Sequence, residues 1–174
     1  LRVTLSEDKE RYFNGFISRF VQTGAQTGMA NYRATMVPWL WFLTKTSDCR
    51  IFQNKTIPDI VQQIFKEYGF TDVKAKLQGT YEPRDYCVQY RETDYNFVAR
   101  LMEQCGIFYF FEHEKEKHTL VLTDNPDAHQ PCPEQPKAKW NPQGSKSLTE
   151  DVVTTLEVEK IFRPGKYALT DYNF

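Results

Sequence analysis

The sequence predicts a strand-rich α+β fold in which two amphipathic helices accompany several β-strands. Aromatic residues make up 15% of the 174 residues, with 13 Phe and 10 Tyr, and these side chains favour the half-buried surfaces of sheets. Apolar residues alternate with a period of two in the first third of the chain. Further along they recur at three- and four-residue spacings, which is typical of helices. The length suits one domain or two small ones.

The first third of the chain is predicted to form a β-hairpin and a third strand. Residues 11–22 carry aromatic or apolar side chains at both even and odd positions, as in a strand covered on both faces. A turn-rich segment follows at 23–28. After the turn, four residues alternate with polar ones and are expected to form a core face: Ala30, Tyr32, Ala34 and Met36. Pro38 precedes the short apolar run 39–43, which we predict to be a strand.

Two amphipathic helices are predicted in the middle of the chain. The first begins after a capping Thr56, with Pro58 and Asp59 in its first turn, and ends at Gly69. Its apolar positions recur at helical spacing: Ile57, Ile60, Val61, Ile64, Phe65 and Tyr68. The second begins near Thr93 and ends at Gly106. One apolar stripe runs along it: Phe97, Val98, Leu101, Met102 and Cys105.

Short strands and a proline-rich connection account for the rest of the chain. Strands are predicted at 73–77 and 86–90, and the runs 107–111 and 118–122 are expected to form a hairpin around a charged segment. Five of the nine prolines lie between 125 and 144, where no regular element can continue. Residues 148–162 are again mostly strand-like.

Charge and segment composition exclude several classes of protein. The formal net charge of −1 argues against a nucleic-acid-binding protein, because non-specific affinity for nucleic acid comes mainly from neutralised phosphates. No apolar run approaches the roughly 20 residues that span a bilayer, so no stable membrane insertion is expected. The first residues lack the pattern of a signal peptide, and we expect the chain to be the interior of a longer one.

The densest titratable cluster is the charged segment between the two strands of the second hairpin. A metal site there would use His113 and His118, with Glu114 or Glu116 as a carboxylate ligand. The spacing is not that of the helical His-Glu-x-x-His motif, in which both histidines project from one face. A solvated hairpin tip explains the same residues, and we therefore predict no metal site.

Candidate nucleophiles and acid–base groups also have structural explanations. The four cysteines are Cys49, Cys87, Cys105 and Cys132; they form no Cys-x-x-Cys pair and are expected to be reduced thiols. A nucleophile would be Cys87 or Cys105, but the first lies within a predicted strand and the second completes the helical stripe, which favours buried structural cysteine.

The carboxylates that could form an acid–base pair are Asp85, Glu92 and Asp94, although negative charge near a helix start is favourable in itself. The aromatic residues of 15–20 only partly match an RNA-stacking sheet motif. No nucleophile elbow, Walker A loop or dinucleotide-binding glycine turn occurs. We therefore expect no catalytic, cofactor-binding or metal-binding residues, no cofactor, and no enzymatic activity.

Three long stretches carry a resemblance to a known family. Residues 91–111 read RETDYNFVARLMEQCGIFYFF, and 89–111 closely resemble the signature helix and strand of the VgrG spike family of bacterial type VI secretion systems. Residues 46–60 and 162–174 resemble other segments of the same family, so the resemblance covers nearly the whole chain. One departure is Cys105, which stands where the family usually has a polar residue.

The resemblance implies a structural protein similar to the hub of contractile phage baseplates. It implies parts of two β-barrel-like tube domains at 1–45 and 148–174, an α/β portion with two helices and an aromatic hairpin at 46–124, and a connection at 125–147. Three chains would form a ring that matches a hexameric ring of the inner tube protein.

The other implied partners are baseplate proteins and effectors, with puncture of the target envelope as the outcome. The protein would assemble in the bacterial cytoplasm and be exported by the type VI system without a signal peptide. The alternatives from the sequence are a glycan-binding or hydrolase module of a phage-tail-like particle, and the hub of a phage tail itself.

Overall fold

The structure is a computed structural model that describes residues 1–4, 10–26, 29–131, 136–143, 152–166, 168 and 170. It divides into two compact units, residues 1–130 and 131–174. Cys132 and residues 148–151, about which the sequence makes predictions, lie outside the described residues.

The larger unit contains nine strands and two α-helices among its described residues. In chain order these are β1 Arg2–Thr4, β2 Glu10–Tyr12, β3 Phe16–Gln26, β4 Met29–Val37, a 3₁₀ helix Trp39–Thr44, β5 Ser47–Phe52, α1 Ile57–Glu67, β6 Val73–Lys76, β7 Cys87–Thr93, α2 Asp94–Gln104, β8 Phe108–His113, β9 His118–Thr123 and a 3₁₀ turn Pro126–Ala128. The smaller unit contains the two-residue strands β10 Lys139–Trp140 and β11 Val152–Val153, which pair in parallel.

Hydrogen bonding divides the strands of the larger unit into separate small sheets. Strands β1 and β2, β3 and β4, and β5 and β7 form antiparallel pairs, whereas β9 lies between a parallel β6 and an antiparallel β8. The predicted α+β, strand-rich class is confirmed. In the described part of the chain no sheet closes into a barrel.

Both helices begin and end where the sequence predicts. The hydroxyl of Thr56 accepts a hydrogen bond from the Asp59 N–H at 3.2 Å, and the hydroxyl of Thr93 accepts one from Asn96 at 3.1 Å. Gly69 and Gly106 follow the helices with φ of 76° and 67°, a left-handed conformation that glycine adopts without strain.

One hydrophobic core unites the two helices with the β6–β9–β8 sheet. The predicted stripe of α2 lies in this core together with Ile60, Ile64 and Phe65 of α1. Every residue of the central strand β9 is buried. Cys105 is only partly buried and packs against the rim of the same core. The packing of α2 against α1 and the aromatic strand is therefore confirmed.

Three predictions for the first third of the chain are wrong. Residues 11–22 are not one strand covered on both faces, because residues 13–15 belong to no strand and Ile17 and Phe20 are exposed. Residues 39–43 form a 3₁₀ helix and not a strand, because Pro38 supplies its extended N-cap and the three-residue spacing of Leu40 and Leu43 buries both side chains. The hairpin β3–β4 does form, but its predicted core face is exposed: no buried residue occurs in β4. That face belongs to a two-stranded sheet that nothing in the described chain covers.

The strand-like prediction for 148–162 is also too broad. Within its described residues, only Val152–Val153 forms a strand, and residues 154–162 belong to no helix or strand.

Candidate functional site

The most unusual surface of the larger unit is an exposed apolar face on the hairpin β3–β4. The register places Ile17 opposite Met36, Phe20 opposite Ala34 and Gln22 opposite Tyr32, and residues opposite one another share a face. We call the set Ile17, Phe20, Tyr32, Ala34 and Met36 the apolar face. Phe20 and Tyr32 stack at 5.3 Å between ring centroids, yet they remain 66% and 57% exposed. An apolar surface of this kind is typical of a docking site.

The opposite side of the same hairpin is basic. Arg19 pairs with Thr35 and Val21 with Arg33, and together with Thr23 these residues line one shallow depression, which we call the basic face. Residues 11–47 contain four Arg or Lys and no Asp or Glu. Neither Arg19 nor Arg33 forms an ion pair with a described residue. Within the described part of the chain, the hairpin therefore offers two positive charges without an acidic partner.

Two stacked histidines anchor the two ends of this hairpin. His113 and His118 are opposite one another on β8 and β9, and their rings stack at 5.9 Å. The Nδ1 of His113 accepts a hydrogen bond from the N–H of Asn14, and the Nε2 of His118 accepts one from the N–H of Trp39, both at 3.0 Å. Asn14 precedes β3 and Trp39 follows β4, so both ends of the hairpin attach to the same histidine pair.

Close packing supports the same attachment. Phe16, at the start of β3, packs edge-on against Phe42 at 5.0 Å and against His118 at 6.3 Å. A Cβ at Gly15 would lie 2.7 Å from the carbonyl oxygen of Val37. Glycine is therefore required at position 15, where the segment that enters β3 passes close to the end of β4.

The pKa of both anchoring histidines is lowered, which favours the neutral form of each ring. Burial lowers the pKa of His118, and the neighbouring His113 lowers it further, against a smaller opposing effect of Asp72. Partial removal from water lowers the pKa of His113, as do Arg11 and the N-terminal amine. A neutral ring is what each hydrogen bond needs, because the accepting nitrogen must carry no proton.

The histidines thus lie together, but not as the sequence analysis describes them. His118 is only 7% exposed, so its assignment to a solvated hairpin tip is wrong. His113 and the charged segment that follows it are exposed. One nitrogen of each ring already accepts a backbone hydrogen bond. Among the described residues, no three His, Cys, Asp or Glu side chains group as metal ligands would.

Two of the three candidate acid–base carboxylates have partners that explain them. Glu92 binds Arg100 through contacts of 2.7 to 3.0 Å. Asp94 is 1% exposed, and four side chains donate to it: Thr46 at 2.8 Å, Arg50 at 2.5 Å, Gln89 at 2.6 Å, and Tyr68. Burial raises the pKa of Asp94, but these four donors outweigh burial and lower it overall. Asp85 is exposed.

The cysteines occupy different environments. Cys87 is buried in β7, and burial raises the pKa of its thiol, which makes it a poor nucleophile. Cys49 is exposed, and Cys105 is partly buried. Among the described residues, no helix has the length and apolar character required to cross a membrane.

Comparison with known sequences identifies the class of protein that has this fold. Residues 1–174 match the phage tail baseplate hub (GPD) family. The chain belongs to that family.

Relatives within this class come from bacterial type VI secretion systems. The chain is 42% identical to the type VI secretion system spike protein VgrG1c of Pseudomonas aeruginosa and 34% identical to VgrG3 of Vibrio cholerae. The first alignment covers 100% of this chain and the second 82%, but they cover only 24% and 14% of the relatives. The chain therefore spans about a quarter or less of these proteins.

A solved structure has the same fold. It is the E. coli c3393 protein, described as a component of the type VI secretion system with structural similarity to the bacteriophage T4 tail proteins gp27 and gp5. The TM-score is 0.67 at 26% identity, over 74% of this chain and 37% of that chain. The family resemblance seen in the sequence is confirmed.

Sequence reasoning missed the anchoring role of the histidines and the basic face of the hairpin. The absence of acidic residues from 11–47 is a signal that could have indicated the basic face. No sequence signal could have indicated the anchors, because Asn14 and His113 are 99 positions apart.

Proposed function

We propose that the chain is the hub-like part of a type VI secretion spike, and that its role is mechanical: it docks the spike onto the inner tube. The observation that carries this proposal is the apolar face, which a folded single chain leaves exposed. Exposed aromatic and aliphatic side chains next to arginines are the composition of protein interfaces. Family membership over residues 1–174 supports the same role.

The organisation that we propose follows the resemblance. Residues 1–45 and 148–174 contribute to two barrel-like tube domains, 46–124 form the α/β portion, and 125–147 connect them. The hairpin β3–β4 belongs to the first tube domain in this scheme. An incomplete sheet with free edges is what a fragment of such a domain would present.

The proposed partners are two further copies of the chain, the hexameric inner tube protein, baseplate proteins and effectors. The protein would assemble in the bacterial cytoplasm and leave the cell through the type VI system, where the spike helps to puncture the target envelope. We propose no catalytic, cofactor or metal site and no enzymatic activity. The ion pairs and hydrogen bonds of Glu92, Asp94 and the two histidines support this, since each has a structural role.

The test compares full-length proteins by light scattering and by binding to purified hexamers of the tube protein. The variant Phe20→Asp/Tyr32→Asp places charge on the apolar face and should abolish trimer formation and hexamer binding. The control Tyr86→Asp/Tyr90→Asp changes two tyrosines of similar exposure, 58% and 64%, outside the hairpin and should retain both.

A full-length protein that is monomeric, or that forms a tight twofold dimer, would contradict the proposal. So would a hairpin variant that assembles as the wild type does.

A further inference from the structure

A second exposed segment carries the acidic side chains that the hairpin lacks. Residues 154–162 of the smaller unit belong to no helix or strand, and all of them are exposed. Leu156 and Val158 are 72% and 80% exposed, and they alternate with Glu157 and Glu159. In a strand, such alternation places the two apolar side chains on one face and the two carboxylates on the other. This segment, which we call the acidic segment, has the pattern of a strand without a partner.

The hairpin has a free edge that could accept such a strand. Among the described residues, β3 and β4 form a two-stranded sheet, so the outer backbone groups of β4 have no strand beside them. Both irregularities in the pairing fall where β3 has an extra residue, Ser18 or Thr23, and β4 continues without interruption from Met29 to Val37. An uninterrupted edge of nine residues is a template for strand addition.

The two faces of the hairpin match the two faces of the acidic segment. A strand added beside β4 would put Glu157 and Glu159 on the side of Arg33 and Arg19. Its Leu156 and Val158 would then lie beside Tyr32 and Ala34 of the apolar face. Opposite charges and paired apolar side chains across neighbouring strands are both stabilising. Neither glutamate forms an ion pair with a described residue.

We propose that the acidic segment of one copy adds as a strand to the β4 edge of a second copy. Each copy then supplies one hairpin and one acidic segment, and the contact is head-to-tail. A head-to-tail contact either closes into a ring or polymerises, and three copies close it in the spike. The inference rests on the proposed function, because it names the contact that builds the proposed homotrimer.

Charge reversal in the full-length protein tests the pairing. The hairpin variant Arg19→Glu/Arg33→Glu and the segment variant Glu157→Arg/Glu159→Arg should each weaken trimer formation at least tenfold in light scattering across concentration. A chain that carries all four changes should regain the trimer. The control Lys115→Glu/Lys117→Glu reverses two exposed charges after β8 and should assemble like the wild type. Circular dichroism of each variant shows whether it is folded.

Mixing distinguishes a contact between copies from one within a chain. The hairpin variant and the segment variant, co-expressed with different tags, should form mixed trimers more readily than either variant forms trimers alone. A mixed ring of three has two complementary contacts and one repulsive contact, whereas a ring of one variant has three repulsive contacts. Recovery in the fourfold variant without any gain in the mixture over the single variants would overturn the second-copy contact.

If the wild type forms a trimer and the hairpin and segment variants form it equally well, the proposed strand pairing is overturned and the proposed function stands. A wild-type protein that does not self-associate would overturn both.

Discussion

Acid should weaken the anchorage of the hairpin through His118, and a single substitution should remove most of that effect. The Nε2 of His118 accepts the N–H of Trp39 and cannot do so when protonated. In His118→Gln, the side-chain amide oxygen reaches a similar position and can accept the same hydrogen bond without titrating. The variant should therefore be less sensitive to pH than the wild type between pH 7 and pH 5.

The direction and the size of this change in stability with pH follow from proton linkage. Burial lowers the pKa of His118 in the folded state below its usual value of 6.5, so the unfolded chain binds more protons and stability falls as pH drops below 6.5. The loss stops once the pH is below the folded pKa. One proton corresponds to about 1.4 kcal/mol per pH unit, so His118 can cost at most about 2 kcal/mol at pH 5. His113 acts in the same direction.

The measurement is urea unfolding at pH 7, 6 and 5 with linear extrapolation to water. Carboxylates with lowered pKa values, such as Asp94 and Asp124, titrate below this window. His118→Phe serves as a contrasting variant: it leaves the buried N–H of Trp39 without an acceptor and should lose about 1 to 3 kcal/mol at pH 7. Equal losses between pH 7 and pH 5 in the wild type and in His118→Gln would refute the reasoning.

Three further substitutions test the core, the buried carboxylate and a helix terminus, each by urea unfolding. Leu101→Ala removes a fully buried side chain and should cost about 2 to 5 kcal/mol, whereas the exposed Glu103→Ala should change stability by less than about 0.5 kcal/mol; similar values for both would exclude the burial. Asp94→Ala should cost at least about 1 to 3 kcal/mol, the cost of one unsatisfied buried donor, because Thr46, Gln89 and Tyr68 lose their acceptor while Arg50 keeps its ion pair with Glu67; a loss below about 1 kcal/mol would contradict this. Gly106→Ala should cost about 1 kcal/mol through its positive φ alone, and Gly165→Ala, which has open space and no positive φ, should cost less.

The sequence predicted the elements that local interactions determine. Both helices follow from apolar spacing, a threonine cap and a terminal glycine, all of which act within a few residues. The aromatic hairpin β8–β9 follows from two apolar runs around a charged turn. The core stripe of α2 follows from the same periodicity, since a helix of eleven residues must bury one face to be stable.

The features that the sequence did not predict depend on distant residues. An alternating apolar pattern in β4 predicts that one face is covered, but not whether the cover comes from the same chain or from another. The run 39–43 is too short for its periodicity to separate a 3₁₀ helix from a strand. Asp94 receives donors from Thr46 and Arg50, 48 and 44 positions away, and no local pattern indicates such a network.

The separation of the hairpin from the core bears on how assembly relates to folding. The described core includes no residue of β3 or β4, and a two-stranded hairpin is only marginally stable on its own. The hairpin therefore owes its orientation to the two histidine hydrogen bonds and to the packing of Phe16. Because these contacts lie at its base, a substitution further along the strands, such as at Phe20 or Arg33, changes the docking surface and not the anchorage. Loss of assembly in such a variant thus measures docking and not unfolding of the core.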